Sequence, residues 1–426
     1  MRDLPKLFAV AAANGLKPVF ADFYAARGFI DPRGVYTRSG AASVYDSQGQ
    51  VKKLAANEPR FDYNPATLEA RGLLFEAPRT NVITYSEQFD NAAWTKEADV
   101  TITANDAVAP DGTLTADKYE NVGNLRGLSF TYTLATPEDR IFWFDIFVKL
   151  GTLTKFTLNI RRGDASDALN LTGLTPGTPE TSAIKIEPVS GQPGWYRYMV
   201  RHAFSSSTTG DDVNVRVTAD FDDTGTMWVW GGMLEEAATV RDYPTSYIAT
   251  SGSAVTRAGD ALKYLLTDLR TNLLKGTLFA EWSPKYGYVG SETFPFIAKM
   301  YGNTNDGNNR MGLIYRPNTA QLHVPVFSGG VSQAGLNIGT VAPGSIYRSG
   351  FVYEENYFNA AINGTLGTPD TSVALPQNLD TLHVGGLEGG SSSALNGWVR
   401  GVKLYKRRIT DLQLQQHTLN EAFFLA

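Results

Sequence analysis

Hydrophobic and polar positions along the chain form short runs that predict β-strands. Residues 141–148 are apolar except for Asp145, which is typical of a strand buried on both faces. Residues 155–161 alternate strictly between polar and apolar side chains, which is typical of a strand with one solvent-exposed face. Similar runs at 213–218 and 227–230 are separated by turns that contain Gly and Asp. This spacing predicts a β-sandwich or jelly roll.

Short strand patterns continue into the last third of the chain. We predict strands at 277–282, 296–300, 311–315, 321–327, 349–353, 357–362 and 399–405. Asn363 and Gly364 predict a type I′ turn between antiparallel strands, because this turn requires positive φ angles. Thr410 and Gln413 have the spacing of a capping box, which predicts a short helix ending at about residue 420.

The predicted fold is all-β, with two tandem β-sandwich (jelly-roll) domains after an N-terminal attachment segment. Residues 1–80 contain more apolar side chains than so small a segment can bury alone, so we assign them to attachment and oligomerisation. We expect their removal to leave a folded monomer. Residues 81–255 are the predicted jelly roll, the small polar segment 249–254 is a linker, and residues 256–426 form the second sandwich.

Composition narrows the range of functions. Among the 426 residues, Lys and Arg number 38 and Asp and Glu number 43, a balance that argues against nucleic acid as a partner. There is no cysteine, which excludes disulfides, thiolate nucleophiles and Cys-based metal sites. No run approaches the ~18 apolar residues of a membrane span, so we expect no membrane insertion.

A resemblance to phage proteins adds to these patterns. The motifs RFDY (60–63), GLLFE (72–76), RTN (79–81) and SEQFD (86–90), followed by Trp94, resemble the opening of many bacteriophage tail-fibre, head-fibre and spike proteins. GWYR (194–197), GGMLE (231–235), YIAT (247–250) and VTRAGD (255–260) resemble the close of their carbohydrate-binding-module-like jelly roll, although the family often has Pro where this chain has Ala249. Residues 276–410 resemble a concanavalin A-like lectin domain of the laminin G type.

Recognised catalytic motifs are missing from the sequence. Nucleotide-binding loops, the zinc-protease motif and the serine-hydrolase elbow do not occur. Four histidines are scattered singly, and we predict structural roles for His323 and His383. Adjacent acids such as Asp222-Asp223 point to opposite faces of a strand, so they favour solvated turns over the carboxylate pair of a glycosidase. We expect no cofactor, with calcium left open because oxygen-rich turns suit it.

Candidate ligand-binding residues combine an aromatic ring with polar side chains, because a sugar stacks its C–H face on a ring and is held by polar groups at its hydroxyls. One candidate is Trp94, which follows a loop; core packing is its alternative. The strand-borne tryptophans 143, 195, 228, 230, 282 and 398 are predicted to fill the sandwich cores. The other candidate is the loop at 301–310, for which a plain surface hairpin is the alternative and whose members are Tyr301, Asn303, Asn305, Asp306, Asn308, Asn309 and Arg310.

The resemblance, together with these residues, implies a structural, receptor-binding fibre or spike of a phage or phage-like particle. It would bind host surface polysaccharide without cleaving it, contact other particle proteins through its N-terminus, form a homotrimer, and lie on the particle surface after assembly in the bacterial cytoplasm. Two alternatives stay open: a glycan depolymerase spike and a purely architectural particle protein. The depolymerase alternative lacks the long parallel β-helix repeats of many such spikes.

Overall fold

A computed structural model describes residues 20–21, 28–123, 127–134, 140–163, 167–205, 212–220, 223–237, 244–285, 295–302, 306–387 and 393–419. Strands account for 55 % of the described residues and helix for 3 %, which confirms the predicted all-β class. In chain order the strands and the helix are β1 (Phe20–Ala21), β2 (Val35–Thr37), β3 (Ala42–Tyr45), β4 (Val51–Leu54), β5 (Phe61–Tyr63), β6 (Ala70–Phe75), β7 (Arg79–Asn81), β8 (Thr95–Lys96), β9 (Val100–Val108), β10 (Leu114–Asn121), β11 (Gly127–Thr133), β12 (Ile141–Leu150), β13 (Phe156–Arg162), β14 (Ala168–Leu174), β15 (Ile184–Pro188), β16 (Trp195–Ala203), β17 (Asp212–Ala219), β18 (Gly225–Ala237), β19 (Val255–Arg257), β20 (Ala261–Leu265), β21 (Lys275–Pro284), β22 (Phe296–Gly302), β23 (Asp306–Arg316), β24 (Gln321–Ser328), β25 (Val331–Ile338), β26 (Tyr347–Glu354), β27 (Tyr357–Ile362), β28 (Thr365–Leu366), β29 (Leu379–Val384), β30 (Gly397–Tyr405) and α1 (Asp411–Leu419).

The first sandwich packs two antiparallel sheets around one core. Its six-stranded sheet has the order β15-β16-β12-β18-β10-β9, and its five-stranded sheet has the order β14-β13-β17-β11-β8. Strand β12 is buried on both faces, as its apolar run predicts. Phe144 and Ile146 join the core between the sheets, whereas Phe147 lies on the opposite face, where it packs with Trp230 and Tyr45.

The second sandwich is built on the same principle. One sheet has the order β28-β27-β26-β21-β30-β6-β5, with β1 paired to β30, and the facing sheet has the order β2-β20-β29-β22-β23-β24-β25. Trp282 and Phe351 from the first of these sheets share a core with Met300 and Leu313 from the other. Alternate residues of the central strands therefore meet between the sheets, as in an antiparallel sandwich.

The N-terminal residues 28–80 are divided between the two sandwiches. Strand β2 extends one sheet of the second sandwich, and β6 extends the other by pairing with β30. Leu73 and Phe75 on β6 are fully buried in its core. The hairpin β3–β4 instead covers the outer face of the first sandwich, where Tyr45 and Val51 pack on Trp195. Strand pairing thus crosses the predicted boundary at residue 80.

The predicted linker forms hydrogen bonds with residues 81–83 at the start of the first sandwich. Strand β7 pairs with β19, so the residues at the two predicted domain borders form one small sheet. Thr250 Oγ1 donates to the carbonyl of Ile83 at 2.6 Å, and Asn81 Nδ2 donates to the carbonyl of Ile248 at 2.8 Å. The division of the chain at residues 80 and 255 stays a prediction, and the contacts across it are extensive.

Two local predictions near the C-terminus are confirmed. Asn363 and Gly364 have φ angles of 44° and 78° and join β27 to β28. At the start of α1, Gln413 N donates to Thr410 Oγ1 at 3.2 Å and Thr410 N donates to Gln413 Oε1 at 3.1 Å, which is a capping box. In the part of the chain that the structure describes, no helix has the length and hydropathy to cross a membrane.

Candidate functional site

The loop at 301–310 forms the junction of β22 and β23. Tyr301 is only 6 % exposed, with Lys299 Nζ 4.5 Å from its ring centroid and the His383 ring 5.5 Å away. Burial raises the pKa of Tyr301 to about 12. The ring therefore packs within the sheet and offers little surface for a sugar to stack on.

The polar members of this loop contact the neighbouring hairpin β24–β25. Asn308 O accepts a hydrogen bond from Gly330 N at 2.9 Å, and Asn309 Oδ1 accepts one from Gly329 N at 3.0 Å. The guanidinium carbon of Arg310 lies 3.6 Å from the Phe327 ring centroid. Asn303 and Asn305, and the side chain of Asp306, lie outside the described residues. Glycan binding by this loop stays a prediction.

Trp94 occupies the core of the first sandwich. It is 1 % exposed, its Nε1 donates to the carbonyl of Tyr85 at 2.8 Å, and its ring centroid lies 4.7 Å from that of Phe89. A ring buried in this way has no open face for a ligand, which corrects its selection as a stacking platform. The alternative that it packs in the core fits this placement.

All seven tryptophans lie in described parts of the chain, and Trp228 is the one whose side chain is half-exposed. Burial is confirmed for Trp143, Trp195, Trp230, Trp282 and Trp398. Trp282 lies in the core between two sheets, whereas the other four belong to apolar clusters separate from that core. Trp228 is only partly buried and packs against the cluster that contains Trp195 and Trp230. Its Nε1 donates to Asp106 Oδ2 at 2.8 Å, and Lys149 Nζ lies 5.7 Å from its ring.

An open cleft of about 450 Å³ lies where the two sandwiches and the N-terminal segment meet. No sequence pattern marks it, because its walls come from distant parts of the chain. The residues that line it are Asn64, Glu69, Ala70, Arg71, Glu180, Lys185, Glu187, Arg197, Met199, Pro244, Ser283, Lys285, Pro343, Gly344, Ile346, Trp398 and Arg400. Below, "the cleft" means the space bounded by these side chains.

Arg197 of β16 is the most deeply buried cation of the cleft. It is 3 % exposed, and its Nη2 donates both to the Asp145 carboxylate and, at 2.7 Å, to the carbonyl of Thr245. Its Nε has no hydrogen-bond partner. Burial raises the pKa of Asp145, and nearby Glu235 acts in the same direction, against the opposing effect of Arg197.

Trp398 and two arginines form another wall of the cleft. Trp398 Nε1 donates to Asp62 Oδ2 at 2.8 Å, and the guanidinium carbon of Arg71 lies 4.9 Å from its ring centroid. Arg400 Nε donates to Glu281 Oε1 at 2.7 Å. Arg71 Nη1 also lies 3.6 Å from Asp62 Oδ2. Because each arginine contacts a carboxylate outside the cleft, this wall is preorganised.

Beneath the cleft lies a buried charge cluster, which consists of Arg38, Arg60, Glu76, Arg257 and Asp260. Its members come from the N-terminal segment and from the start of the predicted second sandwich, and a hydrogen bond between Arg60 and Ser246 connects it to the first. Arg60 Nη1 donates to Glu76 Oε2 and to Ser246 Oγ, each at 2.7 Å, and Lys285 Nζ lies 3.4 Å from Glu76 Oε1. The cluster thereby holds Glu76 in position, and Glu76 in turn positions the Lys285 side chain that lines the cleft.

The lining of the cleft is strongly charged. Its five basic residues outnumber its three acidic residues, which are Glu69, Glu180 and Glu187. Lys185 Nζ donates to Glu180 Oε2 at 3.1 Å, and Glu187 Oε2 accepts a hydrogen bond from the Tyr45 hydroxyl at 3.5 Å. The arrangement can hold a polar, hydroxyl-rich ligand, and its excess of donors favours an anionic group on that ligand.

Among the described residues, no group of three or more His, Asp or Glu side chains is placed to hold a metal ion. The predicted structural role of His323 is confirmed by a 2.8 Å hydrogen bond between its Nδ1 and Asn337 Oδ1. Burial and the nearby charge of Arg316 together lower the pKa of His323 to about 4. The expectation of no cofactor, with calcium left open, stays a prediction.

Comparison with known proteins gives similarity at the level of structure alone. No protein-family model matches the chain, and no curated protein sequence matches it. The carbohydrate-binding module CBM40 of the Ruminococcus gnavus IT-sialidase, solved with alpha2,3 sialyllactose, is 14 % identical over 34 % of this chain and 83 % of that one, with a TM-score of 0.30. The Trypanosoma rangeli sialidase is 10 % identical over 78 % and 62 %, with a TM-score of 0.29.

The enzymatically active domain of tailspike protein 4 from bacteriophage CBA120 is 15 % identical over 37 % of this chain and 21 % of that one, with a TM-score of 0.26. The similar structures therefore include carbohydrate-binding modules and glycan-active proteins. Identities and TM-scores this low carry no argument about the ligand of this chain. They are similarities between β-rich proteins, and the chain is assigned to no family on their account.

Proposed function

We propose that this protein is a receptor-binding structural component, a fibre or spike, of a phage or phage-like particle, and that it binds host surface polysaccharide in the cleft without cleaving it. The observation that carries the proposal is the cleft itself. Its volume of about 450 Å³ is in the range of small-molecule sites. Its charged lining residues supply donors and acceptors for sugar hydroxyls, and Ile346, which is 41 % exposed, supplies apolar surface for C–H faces.

The place on the particle follows from the resemblance described above and from the physics of weak binding sites. A single open sugar site binds weakly, whereas several linked sites raise avidity by about 10² to 10⁴ without any new contact. We therefore propose a homotrimer on the particle surface, assembled in the bacterial cytoplasm, with the N-terminal segment in contact with other particle proteins. A closed three-fold arrangement presents several clefts together.

Filling the cleft is expected to abolish most polysaccharide binding. Ile346 lines the cleft and is 41 % exposed, so Ile346→Trp adds bulk at its rim with little change in the core. We expect affinity for host polysaccharide to fall at least about tenfold, which corresponds to about 1.4 kcal/mol, with an unchanged melting temperature. Biolayer interferometry on immobilised polysaccharide measures the change.

The matched control is Val122→Trp. Val122 is 70 % exposed and does not line the cleft, so the same indole is added elsewhere on the surface. Parental affinity in this variant is expected. If Ile346→Trp also binds as the parent does, the binding site lies outside the cleft.

Cleavage of the bound glycan is the one alternative that a specific observation favours, because three carboxylates line the same cleft. Glycoside hydrolysis needs two such groups about 5–10 Å apart. We expect that incubating the protein with the polysaccharide it binds releases no reducing ends over hours. If reducing ends are released, and if Glu187→Gln or Glu180→Gln abolishes their release, the protein is a depolymerase and not a binding protein without catalytic activity.

A further inference from the structure

Arg197, which lines the cleft, has a side-chain N–H group without a hydrogen-bond acceptor. Its side chain lines the cleft although the residue is only 3 % exposed. Both of its hydrogen bonds to Asp145 and Thr245 come from Nη2, and Nε is buried without a partner. A buried guanidinium normally uses its several N–H groups, because a desolvated donor left unpaired is unfavourable. A ligand that enters the cleft could supply the missing acceptor.

The net charge of the cleft lining favours an acceptor with negative charge, because five basic residues face three acidic ones. Burial lowers the pKa of Arg197, but Asp145, Tyr45 and Glu187 outweigh it, so the guanidinium stays charged. Asp145 and Thr245 together engage only Nη2 of Arg197, so its Nε stays available for a second acceptor.

The other cations of the cleft have their own acidic partners. Lys285 approaches Glu76 and Arg400 approaches Glu281, so each is already balanced in part. Glu187 is the carboxylate that competes with an anionic ligand, because it lies directly across the strand pair from Arg197. It makes no described hydrogen bond to Arg197, whereas its Oε2 accepts one from Tyr45.

We propose that the cleft selects acidic polysaccharide, with the carboxylate of a uronic or nonulosonic acid residue held by Arg197. This proposal rests on the proposed glycan-binding function and names its ligand class. An oxyanion at Arg197 gives a charge-assisted hydrogen bond in a partly desolvated site, which is stronger than a bond to a neutral hydroxyl. The remaining sugar hydroxyls contact the charged rim around Arg71 and Arg400.

The test compares acidic polymers with their neutral counterparts. Full-length protein is titrated with polygalacturonate, polysialic acid and hyaluronan, with the same three polymers after chemical reduction of their carboxyl groups, and with neutral dextran. At least one acidic polymer is expected to bind, and carboxyl reduction is expected to weaken its binding at least about tenfold. Equal binding after reduction, or binding of dextran alone, overturns the acidic ligand and leaves glycan binding intact. Binding of no polymer contradicts the glycan-binding function and this proposal together.

Two variants locate the contact. Arg197→Gln is expected to lose at least about tenfold in affinity for the acidic polymer, but it also removes the partner of buried Asp145 and can impair folding. Glu187→Gln avoids this problem, because it removes only the competing charge, and affinity is expected to rise about two- to fivefold. Glu120→Gln on β10, away from the cleft, is the matched control and is expected to bind as the parent does. Unchanged affinity in Glu187→Gln would place the anion elsewhere.

Discussion

Replacing Arg60 with methionine is expected to lower the free energy of unfolding by about 3–5 kcal/mol. Arg60 is fully buried, with Nη1 2.7 Å from Glu76 Oε2 and Nε 3.0 Å from Asp260 Oδ1. Both carboxylates are 1 % exposed. Arg60→Met keeps much of the apolar stem but removes the cation nearest to both carboxylates, which are left with the longer contacts of Arg38, Arg257 and Lys285 at 3.4–3.7 Å. Removal of one partner from a buried, hydrogen-bonded ion pair is strongly destabilising.

The matched control is an arginine whose ion pair is exposed. Arg140 Nη1 lies 3.1 Å from Glu236 Oε2, with side chains 35 % and 48 % exposed. Arg140→Met is expected to cost at most about 1 kcal/mol, because water solvates both charges when the pair is broken. Urea unfolding followed by tryptophan fluorescence measures both variants. Similar losses in the two would show that the buried charge cluster contributes no more than a surface pair.

The effect of Arg60→Met depends on pH with a definite sign. Burial raises the pKa of Glu76, but Arg60, Arg257 and Lys285 outweigh it and hold that pKa well below the ordinary 4.5. The stabilising contribution of Glu76 is therefore present above pH 4.5 and is lost as the pH falls toward the lower pKa of the folded state. The difference between parent and variant should shrink in acid over the same range.

The motifs that resemble phage proteins meet in this cluster. RFDY supplies Arg60, GLLFE supplies Glu76, and VTRAGD supplies Arg257 and Asp260. Arg60 and Asp260 are 200 positions apart, yet they form one ion pair in the interior. These motifs therefore supply the ion pairs that hold the N-terminal segment against the second sandwich. They indicate how the chain folds, but they give almost no information on which ligand it binds.

Strands and turns could be predicted because their signals are local. The apolar run of β12 and the pair Asn363-Gly364 each determine structure within a few residues. Solvent exposure is harder to predict from polarity. The alternation at 155–161 predicts one solvent-exposed face, and the Lys155 side chain is 44 % exposed, but Thr157 and Asn159 are 7 % and 6 % exposed. The prediction fails at these two residues because neighbouring chain segments satisfy them: Asn159 Nδ2, for example, donates to the carbonyl of Leu169.

The cleft could not be predicted, because nothing local to the sequence defines it. Its wall includes Trp398, whose indole donates to Asp62, 336 positions away in the chain. Arg197 was visible in the sequence as part of GWYR, but its leftover donors exist only once Asp145 and Thr245 have occupied Nη2. The loop at 301–310 was selected because an aromatic residue stands beside polar residues in the sequence. The same pattern also occurs where an aromatic ring is buried at the end of a strand, as Tyr301 is.

Deleting residues 1–80 is expected to destroy the fold, which reverses the expectation from the sequence. The deletion removes β6 from its pairing with β30, and with it the fully buried Leu73 and Phe75. These two side chains contribute about 1.5–3 kcal/mol each, and the loss of Arg60 alone costs about 3–5 kcal/mol. Their combined loss is comparable with the whole stability of a typical domain, about 5–15 kcal/mol.

Deleting residues 1–27 is the matched truncation that separates folding from attachment. It keeps β2 to β6, and among the described contacts it removes the two-residue pairing of β1 with β30. We expect a folded protein with near-parental circular dichroism that is monomeric by light scattering and is not incorporated into particles, because the apolar residues between Leu7 and Tyr24 are proposed to make the subunit and particle contacts. Incorporation of this truncated protein would remove the attachment role from the segment. A cooperative, parental melting transition after deletion of 1–80 would instead show that the second sandwich folds without β5 and β6.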